Sequence, residues 1–325
     1  TGQPVSSGYE RRTVLAGVAA ALLGGCAAES SRHPTPGPPA VTTPLTIDTP
    51  GHPGVNVHLL AGGKMTRAAG VLFVFHGAER RPLDYLASWE PLVAGQDVLV
   101  IAPEFDATLF PGVEGYNLGS MRDADGHDAP LTHRAYQVVS VAFTTIRAQY
   151  RLTASTFDLF GHSAGAQFLH RFLTFTPSAP VGRAVSANAG WYTMPDHDVT
   201  YPYGIREAPK PRAQLSELLG RDLVVLLGEA DTEDELLRQD KGAMAQGATR
   251  VARGHAYVAA GREAARRAGA PFRWRIVTVP GIGHEQEAMA KAAAPLLYPT
   301  STTTSTRSSG SARSERAARG MNDAV

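Results

Sequence analysis

The sequence predicts an α/β fold in which a mostly parallel sheet carries helices on both faces, as a single domain over residues 51–298. Continuous apolar runs such as Val71–Phe75 and Val98–Ala102 are typical of buried parallel strands. Segments with helical spacing separate these runs, and this alternation indicates parallel pairing. Because 43% of the 325 residues are hydrophobic, the chain can bury a sizeable core.

The first 25 residues have the layout of an export signal. Arg11 and Arg12 precede a short apolar run, and the pair resembles a twin-arginine signal. The run ends in Leu23–Cys26, which resembles a bacterial lipobox whose cysteine carries the lipid. We therefore expect an extracytoplasmic lipoprotein anchored to the membrane through Cys26. The alternative is an ordinary signal or anchor with an incidental cysteine.

Two polar segments flank the predicted domain. Residues 26–50 are rich in Ser, Pro, Thr and Gly and are predicted to form a disordered tether. Residues 299–325 are rich in Ser, Thr and Arg and are predicted to form a disordered tail. Cys26 is the only cysteine, so an internal disulfide framework is excluded.

Charge and hydropathy indicate which kinds of partner, nucleic acid or membrane, the chain is expected to contact. The formal net charge is +1, which gives no indication of a nucleic-acid partner. After residue 30 no stretch has the roughly 18 apolar residues that a membrane-spanning helix needs. We therefore expect contact with the membrane only through the N-terminal lipid anchor.

The first half of the domain alternates strands with helices. Its predicted elements are an edge strand at Val55–Leu60, the strands Val71–Phe75 and Val98–Ala102, a helix at Pro82–Val93, a loop over 104–130 and a helix at Leu131–Tyr150. The first helix is expected to bury Leu83, Leu86 and Trp89. Asp128, two residues before Pro130, is the predicted N-terminal cap of the second helix.

The second half continues the alternation. Its predicted elements are a strand that begins at Phe157, a helix that buries Phe168, Leu169, Phe172 and Leu173, the strands Val181–Ala187, Asp222–Leu227 and Arg273–Val279, and a last helix at Gln286–Leu297. Glu235–Arg267 lengthens one connection, and its second half is expected to form a surface helix.

A G-x-S-x-G pattern, Gly161–Gly165, lies between a predicted strand and a predicted helix. In this context the serine occupies a tight turn that exposes its hydroxyl above the sheet. We therefore predict that Ser163 is a catalytic nucleophile. The alternative is a serine that caps the helix, since 33 glycines produce such spacings by chance.

A serine nucleophile needs a base and an acid that orients the base. Asp231 follows the strand Asp222–Leu227, and His284 follows the strand ending at Val279. The order Ser163, Asp231, His284 is the one expected after this motif. Asp234 lies in the same loop as Asp231 and is its rival. His255 competes less well with His284, because it opens a helical segment rather than following a strand.

The reaction also needs backbone donors for an oxyanion. The predicted donors are Ala164, next to the serine, and Ala78 in the loop after Val71–Phe75. Glu79 is a further candidate in that loop and a candidate for substrate binding. His76 is expected to be structural.

Other side chains are candidates for substrate contact or for an ordinary structural role. Tyr116, Trp191 and Tyr192 follow predicted strands and are candidates to line a substrate pocket, with packing under a loop as the alternative. Asp123, Asp125, His127 and Asp128 match no calcium-loop spacing, so we expect a solvated loop and no metal site.

Residues 55–297 resemble the α/β-hydrolase superfamily, in its serine esterase branch. The motifs Val74-Phe75-His76-Gly77, Ile101-Ala102-Pro103-Glu104-Phe105-Asp106 and Gly161–Gly165 are similar to those of bacterial polyhydroxybutyrate-depolymerase-like and feruloyl-esterase-like hydrolases. The resemblance implies an α/β-hydrolase fold and hydrolysis of small-molecule or oligomeric esters through an acyl-serine, without cofactor or metal. The alternatives are a serine peptidase or amidase on the same fold and a non-catalytic surface lipoprotein.

Overall fold

The structure is a computed structural model that describes residues 40–41, 44–209, 214–233 and 237–298. These residues form one sheet of nine strands in the order β1-β3-β5-β4-β6-β7-β8-β9, with β2 also paired to β3. The strands are β1 (Ala40–Val41), β2 (Leu45–Thr49), β3 (His52–Ala61), β4 (Gly70–Phe75), β5 (Val98–Pro103), β6 (Phe157–His162), β7 (Val181–Ala187), β8 (Asp222–Gly228) and β9 (Arg275–Val279).

Helices fill the connections between these strands. They are α1 (Pro82–Val93), α2 (Gly112–Gly115), α3 (Tyr136–Gln149), α4 (Ala164–Phe175), α5 (Leu215–Leu219), α6 (Lys241–Met244), α7 (Arg250–Ala268) and α8 (Gln286–Leu297), with a 3-10 turn at Leu131–His133. The predicted bounds of α1 and α8 are confirmed.

The sheet brings the ends of its parallel strands to one edge. β5, β4, β6, β7, β8 and β9 pair in parallel, whereas β1, β2 and β3 pair antiparallel. Phe75 is in register with Gly161, and Gly228 is in register with Val279. The loops that follow β4, β6, β8 and β9 therefore meet at the carboxyl edge, where ligands bind in open parallel sheets. The predicted α/β fold is confirmed.

Apolar side chains cover both faces of the sheet. α1 and α8 pack on one face, through residues such as Trp89 and Met289. α3, α4 and α7 pack on the other, where Phe168 lies within a cluster of aromatic rings. Within the described residues, no helix has the length and apolar character needed to cross a membrane.

Two expectations about helices are corrected. Leu83 is 52% exposed, whereas Leu86 and Trp89 are buried as predicted. α3 begins at Tyr136 rather than Leu131, and Asp128 does not cap it, because its N-cap residue is Ala135 and no side chain caps it. The physical reason is packing: Tyr136 is buried against Phe168, which makes it the first residue of the helix that contributes to the core.

The domain also begins earlier than predicted. β2 lies inside the segment expected to be a tether, and it pairs with β3 through Ile47 and Val55, both buried. Ile47 and Val55 bury apolar surface at this pairing, which the polar composition of the segment obscured. The predicted export signal, Cys26 and the tail 299–325 lie outside the described residues and stay predictions.

Candidate active site

Ser163 lies in a strained turn between β6 and α4. Its backbone has φ 56° and ψ −116°, a region that non-glycine residues rarely adopt and that is found at functional turns. Its N–H donates to Ala187 O at 3.0 Å, which fastens the turn to β7. The hydroxyl does not cap α4, so the alternative role of a capping serine is not what the structure shows.

The turn depends on two glycines because backbones approach closely around it. A Cβ on Gly165 would lie 2.2 Å from Phe75 O, at the end of β4. A Cβ on Gly161 would lie 2.4 Å from Gly165 O. No side chain fits at either position, so the spacing of the motif follows from the geometry of the turn.

His284 and Asp231 meet Ser163 at the carboxyl edge. His284 Nε2 lies 3.0 Å from Ser163 Oγ, and His284 Nδ1 lies 2.6 Å from Asp231 Oδ2. An ionised carboxylate only accepts hydrogen bonds, so the proton of the neutral imidazole belongs on Nδ1. Nε2 is then free to accept from the serine hydroxyl. The three predicted residues are together, in the geometry that serine activation requires.

Asn188 holds the two loops of this group together, and sequence reasoning missed it. Its side chain donates to Gly283 O at 2.8 Å and accepts from Gly228 N–H at 2.8 Å. Its own N–H donates to Leu226 O. The available signal was its position directly after β7, at the same edge as Ser163.

His76 organises the loop after β4. Its Nε2 accepts from Phe105 N–H at 3.0 Å, so Nδ1 carries the proton and donates to Gly77 O at 3.0 Å. Burial lowers the pKa of His76 to about 4, which keeps the ring neutral. These bonds place His76 beneath the loop, as expected for a structural residue.

A cavity of about 990 Å³ opens over Ser163. Ala78, Ala164, Glu79 and Trp191, all predicted site residues, line it. Two guanidinium groups lie over the Trp191 ring, with Arg171 Cζ at 4.0 Å and Arg238 Cζ at 4.9 Å from its centroid. The indole is thereby held rigidly at the cavity wall.

Tyr116 and Tyr192 do not line this cavity, which corrects their assignment as substrate-binding residues. Tyr116 is 0% exposed, and its hydroxyl donates to His76 O at 2.7 Å. Tyr192 is 0% exposed and stacks on Tyr257 at a centroid distance of 4.4 Å. Both rings face the core, so both support the loops from below, as the packing alternative expects.

The remaining candidates lie elsewhere or are not described. His255 is exposed on α7 and does not line the cavity. Asp234, the rival of Asp231, lies outside the described residues. Asp123, Asp125 and His127 lie together on an exposed loop, where the Asp123 carboxylate accepts from the backbone N–H groups of the other two. The Asp123 carboxylate thus closes the turn through backbone N–H groups, and the absence of a metal site here stays a prediction.

Comparison with known proteins adds independent evidence. No family model matches the chain, and no curated protein matches it. The structure of poly(aspartic acid) hydrolase-1 from Sphingomonas sp. KT-1 is 35% identical, and the match covers 80% of this chain and 99% of that one with a TM-score of 0.77. The poly(3-hydroxybutyrate) depolymerase LpqC from Bordetella parapertussis is 34% identical, with coverages of 75% and 83% and a TM-score of 0.72.

A more distant structure shows the fold alone. The fluorophosphonate-binding serine hydrolase F of Staphylococcus aureus is 16% identical, with coverages of 80% and 98% and a TM-score of 0.50. The first two structures are each about one third identical to this chain, and the matches cover 80% and 75% of it. The chain therefore belongs to the α/β-hydrolase superfamily, in its serine esterase branch of carboxylic ester hydrolases.

Proposed function

We propose that this protein hydrolyses carboxylic esters through a covalent acyl intermediate on Ser163. The proposal rests on one observation: Asp231 is hydrogen-bonded to His284, His284 is hydrogen-bonded to Ser163, and all three residues line the cavity. A serine hydroxyl is a weak nucleophile until a neighbouring base takes its proton, and this series supplies the base and the group that orients it.

The proposed reaction has two halves. His284 Nε2 takes the proton of Ser163 as Oγ bonds to the ester carbonyl carbon, and the tetrahedral intermediate then expels the alcohol, which receives that proton. In the second half, His284 takes a proton from water, whose oxygen attacks the acyl carbon. Collapse releases the acid and returns the proton to Ser163 Oγ. Asp231 holds the imidazole and stabilises its charged form.

The oxyanion is proposed to accept from the N–H groups of Ala164 and Ala78. Both residues line the cavity beside Ser163, and Ala164 begins α4. His76 Nδ1 holds the Gly77 carbonyl, and the C=O and N–H of a trans peptide point in opposite directions. The Ala78 N–H therefore points away from the His76 ring, which supports its role as the second donor.

The proposed substrate is a neutral oligomeric ester. The cavity, at about 990 Å³, is at the upper end of the range of roughly 300–1,000 Å³ for small-molecule sites. Its lining includes four acidic residues and three arginines, so neither charge sign dominates: Glu79, Asp231, Glu233 and Glu285, and Arg80, Arg238 and Arg250. The two nearest structures described above are named for polymers, which favours a chain-like substrate.

Amide hydrolysis is the second candidate, and one observation favours it. The 35%-identical structure is a poly(aspartic acid) hydrolase, and that polymer is joined by amide bonds. The same three residues serve amides, since His284 can donate a proton to an amine leaving group.

A substrate panel tests these proposals together. Wild-type protein and Ser163→Ala are assayed on p-nitrophenyl esters of graded acyl length, 3-hydroxybutyrate oligomers and aspartate oligomers. We expect turnover of esters and its loss in Ser163→Ala with an unchanged circular dichroism spectrum. Turnover confined to aspartate oligomers would select the amide candidate. Near wild-type activity of Ser163→Ala on esters would contradict the proposal.

We also propose that the enzyme is exported and held at the membrane by a lipid on Cys26. The twin-arginine pair, the apolar run and the position of the single cysteine support this. The intact mass of Cys26-containing peptide from the membrane fraction tests it. A lipid adduct that is lost in Cys26→Ser, with release of that variant from membranes, is expected. An unmodified Cys26 in membrane-bound protein would contradict it.

A further inference from the structure

The carboxylate of Asp231 has a second partner besides His284. Its Oδ1 accepts from Arg250 Nη1 at 3.0 Å, while Oδ2 faces His284 Nδ1. The side chains of Arg250 and Asp231 are 6% and 1% exposed, so this is a buried ion pair. The same Nη1 also donates to Glu233 O at 3.1 Å, two residues beyond the carboxylate.

A buried carboxylate requires charged or hydrogen-bonding partners, because burial without them is strongly unfavourable. While His284 is neutral it supplies one N–H but no charge. Arg250 supplies the compensating charge throughout the reaction. By holding Oδ1 and the Glu233 carbonyl together, it also fixes the rotation of the carboxylate that brings Oδ2 to His284.

α7 places Arg250 at this position. Thr249 caps the helix by accepting from Ala252 N–H at 3.2 Å, so Arg250 is its first residue. A Cβ on Gly254 would lie 2.5 Å from Leu227 Cδ2, so the helix packs directly against β8. Asp231 lies in the loop that follows β8, three residues after Gly228, and Arg250 in the first turn of α7 reaches it.

We propose that Arg250 is a positioning residue that acts through Asp231, extending the series to Ser163, His284, Asp231 and Arg250. This inference rests on the proposed ester hydrolysis. The positive charge of Arg250 disfavours the positive charge that develops on His284 during the reaction. Arg250 therefore helps by placing Asp231, and not by making His284 a stronger base. Its loss should therefore lower kcat, and KM is measured separately because Arg250 also lines the cavity.

A double-mutant cycle tests the proposal, with kcat and KM measured on one p-nitrophenyl ester and normalised to folded protein. We expect Arg250→Met to lower kcat by about 10- to 100-fold, the scale of a displaced catalytic group. Asp231→Asn should lower kcat by about 10⁴-fold. In the double variant, Arg250→Met should lower kcat no further than Asp231→Asn alone, because the carboxylate that Arg250 contacts is already absent. Arg250→Lys, which keeps the charge, should recover part of kcat.

The controls separate this inference from a loss of stability. Arg134→Met removes another buried arginine, which donates to Ala129 O and does not line the cavity, and it should keep kcat per folded molecule. If Arg250→Met does not fold, Arg250→Gln keeps a donor without the charge and is expected to lower kcat in the same direction. Wild-type kcat in the folded variant, or an equal loss with and without Asp231, would overturn the proposal. Wild-type kcat in Asp231→Asn would instead contradict the proposed function.

Discussion

Ser163 is held in its strained conformation by the elements on either side of it. Positive φ at a non-glycine residue costs on the order of 1–3 kcal/mol. The bond from Ser163 N–H to Ala187 O and the bond from Gln167 N–H to Ser163 O, at 3.1 Å, offset this cost. The sheet and the first turn of α4 thus fix the direction of the hydroxyl.

At the residue scale we predict that Gly165→Ala disrupts this turn. The new Cβ would meet Phe75 O at 2.2 Å, and a strand carbonyl in the centre of the sheet cannot move aside. We expect a loss of about 1–3 kcal/mol or more in the free energy of unfolding, as for other overpacked sites. Urea denaturation measures it.

Gly70→Ala, in the same sheet, is the matched control. Its Cβ would find its nearest neighbour at 3.8 Å, an ordinary contact, so only a small change is expected. Equal free energies of unfolding for Gly165→Ala and Gly70→Ala would show that the close approach of residue 165 to Phe75 O does not restrict which side chain the turn accepts.

The sequence signals for the candidate site residues differ in strength. Ser163, Asp231 and His284 follow strand ends, and strand ends can be read from apolar runs. Asn188 and Arg250 hydrogen-bond to the segments that carry these residues, and no motif marks either position. The assignment of Tyr116 and Tyr192 as substrate-binding residues was wrong because an aromatic residue in a loop has the same sequence signal whether it faces a cavity or the core.

α4 is the element on which the site is built, and all of its residues are buried. Phe168 is its centre of packing, with ring centroids 4.9 Å from Phe75, 4.7 Å from Phe105 and 5.2 Å from Tyr136. These rings come from β4, the loop after β5, and α3. One side chain therefore joins α4 to three neighbouring segments.

At the element scale we predict that Phe168→Ala lowers the free energy of unfolding by about 3–5 kcal/mol, as for other buried aromatic truncations. Leu83→Ala on α1, where the side chain is 52% exposed, should change it little. Urea denaturation of both variants provides the comparison. A similar, small effect of the two substitutions would contradict the packing described for α4.

Strands that are buried on both faces were predicted well. Elements whose burial depends on a tertiary contact were predicted poorly. β4, β5 and β8 are covered on both faces, so their sequences are continuous apolar runs. β2 buries only alternate residues of a polar segment, and its pairing with β3 is a tertiary contact that no local pattern shows. The start of α3 likewise depends on Tyr136 reaching the core.

At the scale of the whole molecule, burial favours the neutral form of histidine, and His76, His162 and His170 are examples among the described residues. The pKa of His76 is lowered to about 4 by burial. Burial lowers the pKa of His170, with help from the charge of Arg171, and burial also lowers the pKa of His162, which lies beside His284 and Arg250. In the unfolded chain a histidine titrates near 6.5.

Stability should therefore fall as the pH drops below 6.5. Between this value and the lower folded pKa, the unfolded chain binds protons that the folded protein does not, so acid favours unfolding. His76 alone should lower the free energy of unfolding by about 2 kcal/mol between pH 6.5 and pH 5. Above pH 6.5 both states are neutral and the effect is absent. Urea denaturation at pH 7 and pH 5 measures it.

His76→Gln removes one titrating ring and keeps a donor and an acceptor, so its pH dependence should be smaller. His255→Gln, at an exposed position on α7, should keep the wild-type dependence. A wild-type protein equally stable at pH 7 and pH 5 would mean that these rings are not neutral and buried.

Labelling with a fluorophosphonate tests most directly whether Ser163 is an activated nucleophile. Intact-protein and peptide mass spectrometry of the folded enzyme should show one phosphonyl group, on Ser163. The adduct should be lost in Ser163→Ala and should form much more slowly in His284→Ala, because the base that takes the serine proton is missing. An unlabelled wild-type protein, or a label on another residue, would contradict the account.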